Sequence, residues 1–560
     1  MIDGVIPPWA VLLAAAALLP FTRGAVRSLL LVAAPLFALG LVWDVPDGPV
    51  IAFDWLGNHV VLLAGDRLSR LFGTVFTIMA FAGGLYSINQ KSTAELSAAF
   101  AYAGAAVGVV FAGDLITVFV FWEIMAIASS LVIFSAGRHA YKSAMRYAII
   151  HFFGGVLLMA GIVGEITTTG STAFVSMSPD TLPRVLIFLG FLVNVGAPPL
   201  SAWLPDAYPE SSWSGMVFLS AFTTKTAVFV LLKGFPGTEI LIPIGLYMVF
   251  YGIIYAILEN DVRRILAYSI VNQVGFMVTG IGIGSEMALN GAAAHAFAHI
   301  IYKALLLMSA GSVYYMTGKR KCTEVGGLFR TMPVTTICGI VGALAISAFP
   351  ATSGFVSKSM ISQSAADAHL AIVWFLLAAA SAGVFLHAGI KFPWFVFFQK
   401  DSGLRPDDPP WNMRLAMWFL SALCIGFGLY PAPLYAILPF PTDYLPYTPA
   451  HVVYQLQLLL FSGLAFLILL NQLRRTETIS LDIDWFWRRF GRAMRIEFHG
   501  WSAVAWYGIA ERTVRGAGRV MSALYRHHGP QGVLARTWPT GAMALWTAVL
   551  LAAYLLIYFL

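Results

Sequence analysis

VNVGAPPLSAWLPDA, from Val193 to Ala207, sets Gly-Ala-Pro-Pro in the middle of a long apolar run. Proline removes a helical hydrogen bond, and backbone freed at membrane depth is tolerated only beside protein or a wet cavity. The run therefore reads as a membrane helix broken halfway. SAFPATSGFVSK, Ser347 to Lys358, repeats the device with Pro and Gly inside another apolar run. Counting spans between them makes the broken helices the seventh and the twelfth. That odd spacing turns the two segments in opposite directions, as two five-helix units in inverted repeat require.

Working outward, the 560 residues are 59% hydrophobic and only 11% charged, with a mean hydropathy of +0.79. This is the composition of an integral membrane protein. Apolar stretches of roughly 17 to 25 residues recur almost from end to end and give about sixteen transmembrane helices. PPWAVLLAAAALLP near the N-terminus lacks a basic segment before it and leads into further spans, so it reads as a span and not as a signal peptide. Three scattered cysteines, Cys322, Cys338 and Cys424, form no CxxC pair and argue against a disulfide framework, an iron-sulfur site or a cysteine zinc site.

Charge alternates between connections. Those after odd-numbered helices carry Arg23 and Arg27, Lys91, Arg138 and Lys142, Arg263 and Arg264, Lys319 to Lys321, Lys400 and Arg405, and Arg474 and Arg475. Those after even-numbered helices carry Asp44 and Asp47, Asp114, Asp180, Glu286, Asp367 and Asp443. The positive-inside rule puts the first set in the cytoplasm and both chain termini outside. The net charge of +7 then belongs to loops facing a cytoplasmic leaflet, and no nucleic-acid partner is expected.

From Trp485 to Tyr525 arginine alternates with aromatic and aliphatic residues. This is too polar to span, and suits an amphipathic helix along the membrane surface or a tail packed on a partner protein. About eleven basic against five acidic residues between Arg474 and Arg536 favour anionic lipid. A last span, Ala542 to Leu560, follows. The expected divisions are 1–62 (two helices and an external loop), 63–400 (the repeat core), 401–473 (two helices), 474–536 (the surface helix) and 537–560 (the last span).

Ionisable residues interrupt the core spans: Glu123 in VFVFWEIMAIASS, Lys225 in FLSAFTTKTAVFVLL, His295, His299 and Lys303 in the eleventh span, Lys358 after the second break, and Lys391 in HAGIKFPWF. Each central charge costs about 2.5 to 3.5 kcal/mol on insertion scales, so the set would cost roughly 10 kcal/mol or more facing lipid alone. They must be paired or hydrated. Steps of four residues turn a helix only about 40° and climb roughly 6 Å, so His295, His299 and Lys303 form a slanting ladder on one side. Such a row can pass protons in steps. Against it stands the plainer reading, in which each buried lysine is the inert partner of a carboxylate. Zinc is disfavoured because no Glu follows the first His as in HExxH, and haem because both histidines share a face. No metal or other cofactor is expected, and no nucleophile motif, phosphate loop or dinucleotide fingerprint appears.

GDLITVFVFWEIM with Glu123, PPLSAWLPDAYPE with Asp206, NDVRRILAYSIVNQVGF, HAFAHIIYKALLLMSAGSV and FPATSGFVSK together resemble the proton-translocating antiporter-like subunits shared by respiratory complex I and Mrp-type cation/proton antiporters. The resemblance covers about Leu63 to Phe398, and the stretch around Lys225 is similar to the D-type subunit of the Mrp antiporters. The C-terminal surface helix and last span instead resemble the lateral arm of the distal complex I subunit. The resemblance implies a hydrated axis through Glu123, Lys225, His295, His299, Lys303 and Lys358, linking half-channels. One departure stands out: the family usually has a lysine in helix seven where this chain has Asn194. Glu123 loses that partner, and Lys225 is the expected replacement.

Three functions follow. The leading one is a proton-translocating subunit of an Mrp-like cation (sodium) and proton antiporter in a cell inner membrane, working with other membrane subunits. The same path could instead energise a partner enzyme, in a redox assembly acting as a translocase or in an inorganic-carbon capture complex. Asn194 leaves room for a third, a structural subunit with a dead ion path. No enzymatic activity of the chain by itself is expected.

Overall fold

A computed structural model describes residues 4–559, except 474, 478–480, 531, 534, 537 and 538 and the side chains of 487, 490 and 495. Its described residues fall into two units, Met1–Asp482 and Ile483–Leu560. Helix dominates because a backbone in hydrocarbon can satisfy its polar groups only internally.

The first unit holds α1 (Pro8–Leu18), α2 (Gly24–Asp44), α3 (Arg67–Tyr86), α4 (Thr93–Val110), α5 (Leu115–Phe134), α6 (Tyr141–Thr169), α7 (Leu182–Val195, resuming at Trp203–Ala207), α8 (Gly215–Gly234) and α9 (Leu241–Leu258). It continues with α10 (Val262–Ile283), α11 (Glu286–Thr317), α12 (Pro333–Ile346, resuming at Ser353–Asp367), α13 (Ala371–Phe398), α14 (Trp411–Leu429) and α15 (Pro449–Ile468). The second unit holds α16 (Asp484–His528) and α17 (Thr540–Phe559). Among the described residues thirteen helices are long and apolar enough to cross a membrane, and Pro8–Phe21, Leu182–Val195 and Pro333–Ile346 add three shorter apolar ones. These are the sixteen spans read from the sequence, and the protein is multi-pass. The C-terminal stretch from Asp484 is one uninterrupted helix of 45 residues.

Both breaks fall where Pro and Gly placed them. α7 stops at Val195 with Gly196 in the left-handed conformation (φ 81°), ahead of Pro198 and Pro199. α12 stops at Ile346, ahead of Pro350.

One element the sequence did not announce is a β-hairpin, β1 (Gly48–Trp55) with β2 (Asn58–Gly65). Its turn residues Leu56 (φ 49°) and Gly57 (φ 78°) are both left-handed, the conformation that matches the strands' twist. The buried Asp114 fixes the hairpin to the start of α5. Its carboxylate accepts from Val61 N at 2.8 Å and caps the helix through Ile116 N at 2.8 Å and Thr117 N at 2.9 Å.

Burial is uneven. α8, α10 and α11 are enclosed throughout their apolar length, whereas α2 and α15 turn most of theirs outward. Of these, α8 carries Lys225 and α11 carries the His295–Lys303 ladder, while α10 supplies Gln273 and Ser269 beside the ladder. Ion pairs pin the connections around them: Arg146 of α6 holds Asp206 at 2.7 and 2.8 Å, and Arg320 holds Asp261 at 2.7 Å and Glu210 at 3.0 Å.

Candidate functional site: a buried row of lysines and histidines

Three of the buried lysines, Lys225, Lys358 and Lys391, share a local cause: each donates to backbone carbonyls left over where a helix stops. Ile346 would bond residue 350 in a continuous helix, but Pro350 has no N–H, and Lys358 Nζ takes the Ile346 carbonyl at 2.8 Å. The same ammonium lies 4.8 Å from the centre of the Phe276 ring. Lys391 Nζ reaches across to the C-terminal end of α9 and donates to the carbonyls of Ala256, Ile257 and Glu259 at 3.1, 2.5 and 2.6 Å. Orphan carbonyls and the negative end of a helix dipole favour a cation there.

Lys225 exposes a third interruption. α8 breaks for one residue at Phe222 (φ −105°, ψ −66°), and Lys225 Nζ donates to Ser220 O at 2.6 Å and to Thr224 Oγ1 at 3.1 Å. These bonds replace the expected partner. Glu123 and Lys225 form no ion pair, and Glu123 Oε1 turns inward against Gly155 of α6 with no hydrogen-bond partner.

In α11 the ladder is fully enclosed, with His295, His299 and Lys303 all at 0% exposure. His295 is the fixed rung: Nδ1 meets Ser357 Oγ at 3.0 Å, and Nε2 meets Gln273 Oε1 at 3.2 Å and Tyr302 OH at 3.3 Å. His299 differs, since neither ring nitrogen has a partner within the protein. Lys303 Nζ donates to Ser269 Oγ at 2.9 Å and to Leu266 O at 3.4 Å. His295 and His299 stand 6.2 Å apart by ring centres, the Ser357 that holds His295 is the chain neighbour of Lys358, and α8 and α12 both pack on α11, so these helices bring the five groups into one region. Glu123, half-buried on α5, and Lys391, on the α9 carbonyls, are held by other surroundings.

Several residues here escaped the sequence reading. Gln273 and Ser357 hold His295, and Gln273 also accepts from Tyr302 OH at 3.0 Å. His387 is fully buried in the π-helical stretch Phe385–Lys391, with Nδ1 on Gly383 O at 2.9 Å and Nε2 unpaired. π-helical turns are rare and gather at functional sites, but no sequence signal marks them. His151 of α6 is likewise buried with Nε2 unpaired. Asn194, at the end of the first half of α7, is fully buried with both side-chain polar atoms unpaired.

Residues 112–385 match the family model described as NADH:quinone oxidoreductase/Mrp antiporter, transmembrane. Over 337 residues the chain is 31% identical to the D-type subunit of the Na(+)/H(+) antiporter of Alkalihalophilus pseudofirmus, covering 56% of this chain and 67% of that protein. The chain belongs to the NADH:quinone oxidoreductase/Mrp antiporter family. The matched span contains Glu123 and all five residues of the row, and stops short of Lys391. A second family member, the A/B-type subunit of a probable K(+)/H(+) antiporter of Rhizobium meliloti, is 30% identical over 433 residues. That alignment takes in 71% of this chain but 43% of the relative, so the chain spans less than half of that protein's length. The family fold is seen in the Mrp complex of Dietzia sp. DQ12-45-1b, which superposes with a TM-score of 0.75 at 22% identity, over 99% of this chain and 62% of that one.

Proposed function

We propose that this chain is the D-type, proton-translocating component of a multisubunit cation/proton antiporter, working with other membrane subunits in a cell inner membrane. The observation that carries the reading is the enclosed row of Lys225, His295, His299, Lys303 and Lys358, with three lysines and two histidines in one buried region. Buried charges of this kind are costly, and in membrane helices they mark ion and proton paths. A purely structural chain would satisfy the same helix ends with uncharged donors, as Trp203 Nε1 does for Val193 O at 2.9 Å.

In this reading protons enter by Glu123, pass Lys225 and the His295–His299–Lys303 ladder, and leave at Lys358 beside the second break. Lys391, also expected on the path from sequence, is assigned to holding the end of α9. Arginine-rich connections face the cytoplasm and both termini the outside, the coupled cation is monovalent, and anionic lipid lies against the basic stretch from Arg474 to Arg536. A second reading is supported by the oxidoreductase half of the family description: the same path energises a redox partner.

The test is proton flux into proteoliposomes holding the complete assembly, driven by a sodium or potassium gradient. Lys358→Ala is expected to abolish flux with all subunits retained. Normal flux in that variant removes Lys358 from the path, and cation-independent flux that appears only with a redox partner favours the second reading.

A further inference from the structure

Four unpaired polar atoms gather beside the first break, and the path proposed above uses only one of them, on Glu123. His151 is 1% exposed, and its Nδ1 lies 2.9 Å from the carbonyl oxygen of Tyr147. A carbonyl only accepts, so Nδ1 carries the hydrogen and the neutral ring keeps its lone pair on Nε2. That nitrogen is buried and finds no partner in the protein.

What faces it follows from the packing of α6 on α7. The helices run antiparallel and meet at glycines. A methyl on Gly154 would lie 3.1 Å from Val193, and one on Gly190 would lie 3.0 Å from the Gly154 carbonyl. One turn back from Gly154 on α6 is His151, and one turn on from Gly190 on α7 is Asn194, so the two stand level. α5 supplies another wall. Glu123 Oε1 sits where a methyl on Gly155 would go, one turn along α6 from His151. The resumed half of α7 supplies Trp203, whose ring centre lies 4.6 Å from that of His151. Glu123 Oε1, His151 Nε2 and both polar atoms of Asn194 are thus left without protein partners in one neighbourhood. Buried polar atoms are satisfied by protein or by water, and a cluster of several is polar enough to hold water.

We infer that Glu123, His151 and Asn194 enclose a hydrated proton relay in which His151 Nε2 receives the proton and Asn194 only holds the connecting water. The inference rests on the transport reading and adds a carrier to it. A proton leaves the Glu123 carboxylic acid for the water, which gives one of its own to Nε2. The imidazolium retains Nδ1–H on the Tyr147 carbonyl and hands a proton from Nε2 through water to the neutral amine of Lys225, the next carrier on the proposed path, so the ring returns to the same tautomer. One proton has moved, and no other bond has changed. Besides Glu123, the ionisable group on the ring is Tyr147, stacked at 3.9 Å; Tyr208 packs against Tyr147 in turn, and the Arg146–Asp206 pair joins the neighbouring turn of α6 to the resumed half of α7. α7 contributes no charge of its own beside the ring before its break.

The experiment uses the full assembly in proteoliposomes, with subunit content measured alongside flux. His151→Gln keeps a polar group but cannot titrate, and is expected to lower proton flux at least tenfold and flatten its dependence on pH near neutrality. The exchange of His151→Asn with Asn194→His returns the imidazole to the same space from the opposite helix. It is expected to recover several-fold more flux than His151→Asn alone. Wild-type flux and pH profile in His151→Gln overturn the relay, as does an exchange variant no better than His151→Asn at equal assembly. If His151→Gln fails to assemble, Asn194→Asp decides: a carboxylate beside the ring should move the flux midpoint upward by about one pH unit, and an unmoved midpoint overturns the relay. Absence of flux in the wild-type assembly instead sinks the transport reading itself.

Discussion

Gly155→Ala tests the placement of Glu123 without touching an ionisable residue. The added methyl would lie 2.0 Å from Glu123 Oε1, while ordinary contact begins at 3.4 Å, so the carboxylate must retreat by about 1.4 Å. The strain is small because the displaced atom ends a flexible side chain; an off-rotamer torsion costs about 0.5–1.5 kcal/mol. Alanine in a helix interior returns about 1 kcal/mol over glycine, so the two effects nearly cancel and assembly should be unaffected. Proton transfer is less forgiving, since a misplacement of about 1 Å at a reacting group can cost on the order of 100-fold. Flux is therefore expected to fall at least tenfold at unchanged subunit content, measured by quenching of a pH-sensitive dye in proteoliposomes. Gly426→Ala, with nothing within 4 Å of the new methyl, should behave as wild type. Shortening the acid by one methylene, as Glu123→Asp in the Gly155→Ala background, should recover flux relative to Gly155→Ala alone. Wild-type flux in Gly155→Ala would refute the reasoning, because the carboxylate could then move without consequence.

Three further outcomes are expected. His299→Gln removes a titratable ring that has no protein partner to hold, so flux should fall and its pH profile shift; an unaltered profile takes His299 off the path. Lys391→Met leaves three carbonyls at the end of α9 without their donor, and at about 1.5–3 kcal/mol for a bond to a charged group the loss should reach roughly 3 kcal/mol. A lowered Tm of the purified assembly checks this, and an unchanged one excludes the holding role. Asp114→Ala removes the cap of α5 and the anchor of the hairpin, about 2–3 kcal/mol in all, and should make Gly48–Gly65 readily cut by protease; resistance equal to wild type counts against the anchor.

The spans and both breaks were legible because their causes are local. Apolar length marks a helix, and Pro198, Pro199 and Pro350 lack an N–H whatever surrounds them. The ladder was legible for the same reason, since spacing alone puts His295, His299 and Lys303 on one side of α11. The break at Phe222 was not, because FLSAFTTKT contains neither Pro nor Gly and its interruption depends on packing. The hairpin was hidden by Leu56, a residue that seldom takes a positive φ. The acceptors of Lys225 were hidden for a deeper reason: charge complementarity points to Glu123, but Nζ donates to a carbonyl of its own helix, which carries no sequence signal. His151 stands alone in an apolar run of sequence, and only the glycine contacts of α6 with α5 and α7 give it neighbours.

Counting hydrogens on each amine separates the lysines. A neutral amine keeps two N–H groups. Lys358 serves one acceptor and Lys225 two, and Lys303 also has two, so each could shed a proton and still satisfy every acceptor it holds. The freed lone pair would face whatever receives the proton, and no side chain would have to swing. Lys391 serves three carbonyls, and losing its proton would strand one of them at the end of α9. Loss of a proton from any of the first three strands no acceptor, whereas the fourth needs all three of its hydrogens.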